Sequence, residues 1–223
     1  MPVVTSVESL RGGRIAVEID GERFLVASQA LVARRRLFVD RQLSREELLD
    51  LRAEGAREVA LADAHRLLAH RSRSRRELAD RLLAKGHPED VIAVVVERLK
   101  DDGILDDRAF AAAFVADKRQ LAGWGRQRIA NGLASAGVPR EVAEEVLGGD
   151  DADDELCRAL ALLRRGPAAT PPFETARRRA FDRLRRRGFA AAVAYAALDR
   201  WLDEARDGEE EAGRSGAGES DRL

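Results

Sequence analysis

Three glycines, Gly86, Gly137 and Gly188, stand 51 residues apart in both steps, and each leads straight into a new helix entry: Gly86-His87-Pro88, Gly137-Val138-Pro139 and Gly188-Phe189-Ala190. Gly just past one helix and Pro at the opening of the next is the backbone asymmetry that closes one helix and starts another. The same offset relates Leu78 to Ile129 and Ala180, Leu82 to Leu133 and Leu184, and Val91 to Val142 and Val193. Residues 78 and 82 are i and i+4, so they stack on one helix face, as do their counterparts. The pattern specifies a repeat of three helices, the second and third joined tightly at the Gly. Units of this size bury little apolar surface alone, so neighbours must stack. The predicted fold is mainly α: tandem three-helix repeats in an elongated or curved array, preceded by a small β-hairpin element.

Local signals set the expected boundaries. Residues 1–43 carry the hairpin and a short helical extension, with Asp20-Gly21 between the runs Arg14 to Ile19 and Glu22 to Val26 as a two-residue turn, and a helical segment from Gln29 to Leu37 for the hairpin to lean on. Residues 44–100 form the first unit with a lead-in helix. Ser44 and Glu47 make a capping box, that helix is expected to stop near Gly55, and a second helical run spans Arg57 to His70. Residues 106–148 form the second unit and 151–203 the third. Between the first two, Gly103 can end one helix and Asp106 cap the next, leaving Ile104 and Leu105 to plug the joint. The third unit is interrupted by Gly166 to Pro172, which cannot remain helical. Residues 204–223, with seven acidic and three basic side chains and almost nothing apolar, are expected to be a disordered acidic tail.

Composition narrows the class. A chain of 223 residues with 45% hydrophobic and 35% charged residues can bury one sizeable core or several small ones. Cys157 is the only cysteine, so no internal disulfide can form, and Met1 leads into a polar segment without an apolar signal core. The longest apolar runs fall well short of the roughly 20 residues that cross a bilayer. The expectation is a cytoplasmic protein with no membrane partner. Net charge is -1, which gives no reason to expect generic nucleic-acid binding; without the tail, the rest carries +3, nearly all its basic charge arginine.

No constellation commits the chain to catalysis, a cofactor or a metal, and the expectation is a non-enzymatic protein. The three histidines, His65, His70 and His87, lack nearby cysteines, and His65 and His70 are five apart, a poor fit to one helix face. The aspartates around Gly103 lack the Gly and terminal Glu of a calcium loop, and helix capping accounts for them. Cys157 reads as a small packing residue. Arginines carry the better signal. Arg75, Arg126 and Arg177 share the 51-residue offset, flanked by Arg71, Arg73 and Arg76 in the first unit, Arg128 in the second, and Arg178, Arg179, Arg183 and Arg185 to Arg187 in the third. Regular stacking would turn these into a broken stripe facing a phosphate backbone or an acidic protein groove. The plainer reading is a solvated surface with ion pairs such as Arg76 with Asp80. Trp124, between Gly123 and Gly125, is either an interface anchor or a packing plug at its helix start.

The run Arg75-Arg76-Glu77-Leu78, Leu82 to Gly86, Asp102 to Asp107, Phe110-Ala111, Phe114-Val115, Gly125 to Ile129 and Gly137-Val138 closely resembles the bacterial RecX regulatory proteins. The likeness runs from about Ser72 to Leu147, and more loosely to Leu202 through Phe181, Leu184 and Arg187-Gly188-Phe189; the Gly-Ile-Leu-Asp-Asp joint followed by Phe-Ala is its most specific piece. The third unit departs from the family pattern at its Pro-rich break and at Ala190 to Ala192. The resemblance implies tandem three-helix repeats and a modulator of RecA, bound in the groove of RecA filaments on single-stranded DNA. It would inhibit or modulate ATP hydrolysis, strand exchange and repressor co-cleavage, with no cofactor. The chain is further expected to be a monomer with weak direct DNA binding. The contact candidates are Arg71, Arg73, Arg75, Arg76, Lys85, Trp124, Arg126, Arg128, Arg177, Arg178, Arg185, Arg186 and Arg187. The alternatives are a general single-stranded-DNA-binding helical protein and a scaffold for a non-DNA partner.

Overall fold

The computed structural model describes all residues except Gly12, 150–151, 170–172 and 218–223; at Ala152 and residues 208–217 it describes the backbone alone. Asp20 and Gly21 have φ of 52° and 85°, the doubly left-handed turn that lets two twisted strands reverse in two residues. They join β2 (Arg14–Ile19) to β3 (Glu22–Ser28). A further strand, β1 (Val4–Ser9), pairs antiparallel with β2, giving a three-stranded sheet in the order β1-β2-β3. Its polar sequence hides it, because β1 is held from outside: Val4 N donates to Arg41 O at 2.9 Å and Leu43 N to Pro2 O at 2.9 Å, so the chain after the sheet pins it. One face of the sheet buries Val4, Val17 and Ile19 against Leu31 and Val32 of α1 (Gln29–Arg34) and against Leu37, Leu43 and Leu51.

The predicted stop near Gly55 does not occur. Ser44 and Glu47 form the capping box, with Glu47 N donating to Ser44 Oγ at 3.1 Å and Ser44 N to Glu47 Oε2 at 2.8 Å. The helix they open, α2 (Arg45–His70), then runs unbroken for 26 residues. Gly55 is there for proximity: a Cβ would lie 3.1 Å from Leu25 Cδ1 of β3, so the missing side chain lets the sheet approach the helix. The first half of α2 thus serves the sheet and the second half the first repeat. Glu58 couples the two, accepting from Ser28 N at 3.0 Å and Ser28 Oγ at 2.9 Å.

The repeat is present three times. The first triplet is the later part of α2 with α3 (Arg75–Leu83) and α4 (Glu89–Asp101), around Ala60, Ala64, Leu78, Leu82, Val95 and Leu99. The second is α5 (Asp107–Gln120), α6 (Arg126–Ser135) and α7 (Arg140–Gly148), around Phe110, Val115, Ile129, Leu133 and Leu147. The third is α8 (Ala152–Arg164), α9 (Phe173–Arg186) and α10 (Ala191–Ala217), around Leu160, Leu163, Leu184, Phe189 and Leu198. Leu78, Ile129 and Ala180 are all buried, as are Leu82, Leu133 and Leu184. The three repeat glycines have φ of 87°, 72° and 86° and end the second helix of each triplet.

Two local expectations change. After Gly103, Leu105 is 2% exposed and joins the core of the first triplet, but Ile104, expected to be buried with it, is 49% exposed. The chain also stays helical past Arg206, to Ala217, where Glu209-Glu210-Glu211-Ala212 are good helix formers; residues 218–223 lie outside the described residues, as do Asp151 and the Thr170 to Pro172 part of the break. The chain divides into two compact units, Met1–Asp106 with the sheet and first triplet, and Asp107–Leu223 with the second and third triplets. Among the described residues no helix is long and apolar enough to cross a membrane.

Candidate functional site

Ser74 and Gly125 occupy the same repeat position, the residue before the second helix, and they solve the same problem differently. A helix start leaves its first N–H groups without partners inside the helix. Ser74 caps α3 itself, its Oγ accepting from Glu77 N at 3.0 Å. Gly125 has no side chain to do this, and the third triplet supplies the acceptors: Gly125 N donates to Arg187 O at 2.8 Å, Arg126 N to Glu155 Oε1 at 2.9 Å, and Gln127 N to Gly188 O at 3.0 Å. Glu155 is only 8% exposed. The positive end of the α6 dipole therefore meets a buried carboxylate and the negative end of α9. The approach is close enough that a Cβ on Gly125 would sit 2.5 Å from Phe189 N, and one on Gly188 2.4 Å from Arg128 Cβ.

That joint gathers Trp124, Arg126, Arg128, Arg185, Arg186 and Arg187, six of the sequence candidates. Arg126 Nη1 donates to Leu147 O at 2.7 Å, tying α6 to the C-terminus of α7. Arg128 Nη1 donates to Arg186 O at 3.0 Å while its guanidinium lies 4.3 Å from the centre of the Trp124 ring. Arg187 Nη1 donates to Ala122 O, and Arg185 Nη1 to Phe189 O at 2.7 Å. Trp124 packs edge-on to Phe114 with ring centroids 6.4 Å apart, and Lys118 Nζ lies 5.4 Å from its ring. Trp124 is half-buried, with Arg128 and Lys118 both against its ring. The arginines here cap carbonyl oxygens at helix ends and keep their charge, since a carbonyl acceptor does not neutralise a guanidinium.

Elsewhere on α9 the candidates part ways. Arg177 turns towards α10, with Nη2 3.9 Å from Asp199 Oδ1. Arg178, Arg179 and Arg186 are exposed, and among the described residues their side chains have no ion pair or hydrogen bond. Arg126 and Arg177, two members of the repeated position, each reach the third helix of their own triplets, and α9 carries three exposed arginines whose side chains have no partner among the described residues.

The Met1–Asp106 unit holds a second basic group. Arg71 bridges bidentately to Glu77, at 2.9 and 3.2 Å. Arg73 is half-buried and donates Nε to Leu67 O at 3.2 Å; burial, then the neighbouring Arg71 charge, lowers its pKa from the ordinary arginine value. Arg75 is half-buried and engaged. Arg76 is exposed, and among the described residues it forms no pair with Asp80, so that proposed staple is absent. Lys85 Nζ lies 3.6 Å from Asp63 Oδ1. This last contact belongs to a latch the sequence did not disclose: Asp63, 8% exposed, lies 2.9 Å from His87 Nε2 and also pairs with Arg66. Burial alone would raise the Asp63 pKa, but the His87 hydrogen bond and the Arg66, Lys85 and His87 charges outweigh it and hold the carboxyl below its ordinary value. No sequence signal marks Asp63 or Glu155, because each acts on a residue more than 20 positions away. Among the described residues no cluster of His, Cys, Asp and Glu is arranged to hold a metal ion.

Comparison with known proteins bears on the whole arrangement. The family model of the first three-helix domain of RecX matches residues 60–99, and that of the second three-helix domain matches residues 106–147. Regulatory protein RecX of Mycolicibacterium vanbaalenii is 38% identical over 152 residues, covering 65% of this chain and 80% of that protein. The same-named protein of Mycobacterium ulcerans is 40% identical over 146 residues, covering 64% and 82%. Among solved structures, a crystal structure of regulatory protein RecX superposes with a TM-score of 0.67 at 18% identity, covering 89% of this chain and all of that one. That of RecX from Lactobacillus salivarius gives 0.60 at 18% identity, covering 66% and 96%.

Proposed function

The chain belongs to the RecX family of regulatory proteins, and from that premise we propose that it binds in the groove of RecA filaments on single-stranded DNA. There it inhibits or modulates ATP hydrolysis, strand exchange and repressor co-cleavage without catalysing a reaction itself. The observation that carries this reading is the free basic face of α9, Arg178, Arg179 and Arg186, on a helix whose C-terminal end is hydrogen-bonded to the start of α6 in the triplet before it. Charges on rigid helices lose little freedom on binding, and several weak contacts along one polymer add through effective concentration. A reversible block of the groove needs only occupancy.

The direct test is cosedimentation with RecA, single-stranded DNA and nucleotide, comparing the assembled filament with each component alone. Retention by the assembled filament above either component is the expected result. The paired test replaces both Arg179 and Arg186 by Ala, two exposed side chains whose loss leaves the fold intact. Inhibition of RecA ATPase should weaken about fivefold, the order expected for two exposed charge contacts. Unchanged inhibition by the folded double variant would remove α9 from the interface.

A further inference from the structure

Tyr195 is the chain's only tyrosine, and it is 50% exposed on α10. Its neighbours on the helix face N-terminal to it, Ala191 and Ala192, are exposed and too small to cover the ring. Behind it lies Phe181 of α9, with ring centroids 4.9 Å apart and planes inclined by 28°, a stacked pair. Phe181 is half-buried and packs on the core of the third triplet, so the inner ring is fixed and holds the outer one in place. A half-exposed tyrosine stacked on an anchored phenylalanine has a flat apolar face turned to solvent at no cost in further ordering.

Around Phe181, α9 presents two exposed arginines and one exposed acid, Asp182, a net positive balance. Arg178 and Arg185 stand three residues before and four residues after Phe181, on its face of α9 and about 10 Å apart along the axis. Arg178 is free, and Arg185 is steadied by its hydrogen bond to Phe189 O without loss of charge. The nearby acid on the Tyr195 side, Asp199 at i+4, is balanced by Arg177. An open aromatic face backed by a helix that presents exposed Arg178 and Arg185 along the same face is the chemistry that takes an unpaired base on the ring and flanking phosphates on the cations.

We propose that Phe181, Tyr195, Arg178 and Arg185 form a base-stacking site for single-stranded nucleic acid. A duplex does not fit it, because paired bases hide their faces in the stack. The site goes beyond the filament reading, since it requires no RecA.

The experiment uses the full chain without RecA and follows anisotropy of a fluorescein-labelled oligothymidylate and of an abasic oligomer of equal length. Tyr195→Ala should weaken binding to oligothymidylate about 5- to 150-fold, the range for loss of one stacked base, and leave binding to the abasic strand unchanged. Tyr195→Phe should retain wild-type affinity. Replacing both Arg178 and Arg185 by Ala should flatten the slope of log affinity against log salt by about 1.4, as expected for two phosphate contacts on a single strand. No binding by the wild-type chain, equal affinity of Tyr195→Ala for oligothymidylate, or an equal loss on the abasic strand would each overturn the site. Loss of filament retention with intact oligomer binding would count against the filament reading alone.

Discussion

Gly188→Ala tests the joint between the second and third triplets most sharply. Two costs are set by the geometry. Gly188 has φ of +86°, where an L side chain costs about 1–2 kcal/mol. The added Cβ would also lie 2.4 Å from Arg128 Cβ and 2.5 Å from Arg128 N, atoms that cannot rotate away. The joint must therefore open, giving up the Gly125 to Arg187 and Gln127 to Gly188 hydrogen bonds at about 0.5–1.5 kcal/mol each. The expected destabilisation is about 2–5 kcal/mol. Gly86→Ala is the matched control: its φ is +87° but nothing lies within 4 Å of the new Cβ, so only the backbone strain of about 1–2 kcal/mol applies. Urea denaturation followed by circular dichroism compares the two. The decisive measurement adds Gly125→Ala, whose Cβ would strike Phe189 N at 2.5 Å on the other side of the same joint. Once one substitution has opened the joint the other has little left to break, so the double variant should be scarcely less stable than the worse single one. Additive losses in the double variant, or a Gly188→Ala cost no larger than that of Gly86→Ala, would refute the locked joint.

Other expectations follow from single contacts. Glu155→Ala removes the acceptor for Arg126 N and should cost about 1–2 kcal/mol, whereas Glu155→Gln keeps an acceptor oxygen and should cost less; urea midpoints separate them. Asp63 has a depressed folded pKa, so its contribution is fully present above the unfolded value of about 3.9 and is lost as pH falls through the folded value. The stability gap between wild type and Asp63→Asn should accordingly be open at pH 7 and close below about pH 4 in parallel denaturation series. Trp124 and Trp201 both lie in the unit Asp107–Leu223, so tryptophan fluorescence reports that unit while circular dichroism reports both. The two probes should give non-coincident unfolding curves; coincident ones would show a single cooperative block.

The repeat was legible because its signal is local. Leu78 and Leu82, and their counterparts, need only helical spacing to share a face, and a Gly with positive φ closes each second helix without reference to the rest of the chain. The misreadings share the opposite property. Gly55 reads as a helix stop until Leu25 is seen 3.1 Å from where its side chain would be. β1 is a strand because it pairs with β2 and is pinned at its start by bonds to Arg41 and Leu43, and its own residues carry no strand pattern strong enough to announce it. In both cases a contact distant in sequence overrides a local propensity.

The arginines divide along the same line, and the division bears on what a repeated residue means. Arg126 and Arg177 match by offset, yet one caps Leu147 O across its own triplet and the other faces Asp199. In the second and third triplets the recurring arginine contacts the third helix of its own triplet, which is an internal demand. A partner surface carries no such demand: at the repeat positions of Arg178 and Arg179 stand Arg76 and Arg128, each matched in one other triplet only, and Arg186 answers to Ser135 and Ala84. The second triplet also lacks its own helix cap at Gly125 and borrows one from Glu155, Arg187 and Gly188, so the third triplet completes the second as well as carrying the free basic face. The part of the chain where family resemblance is loosest is thus the part on which both the order of the joint and the proposed contacts depend.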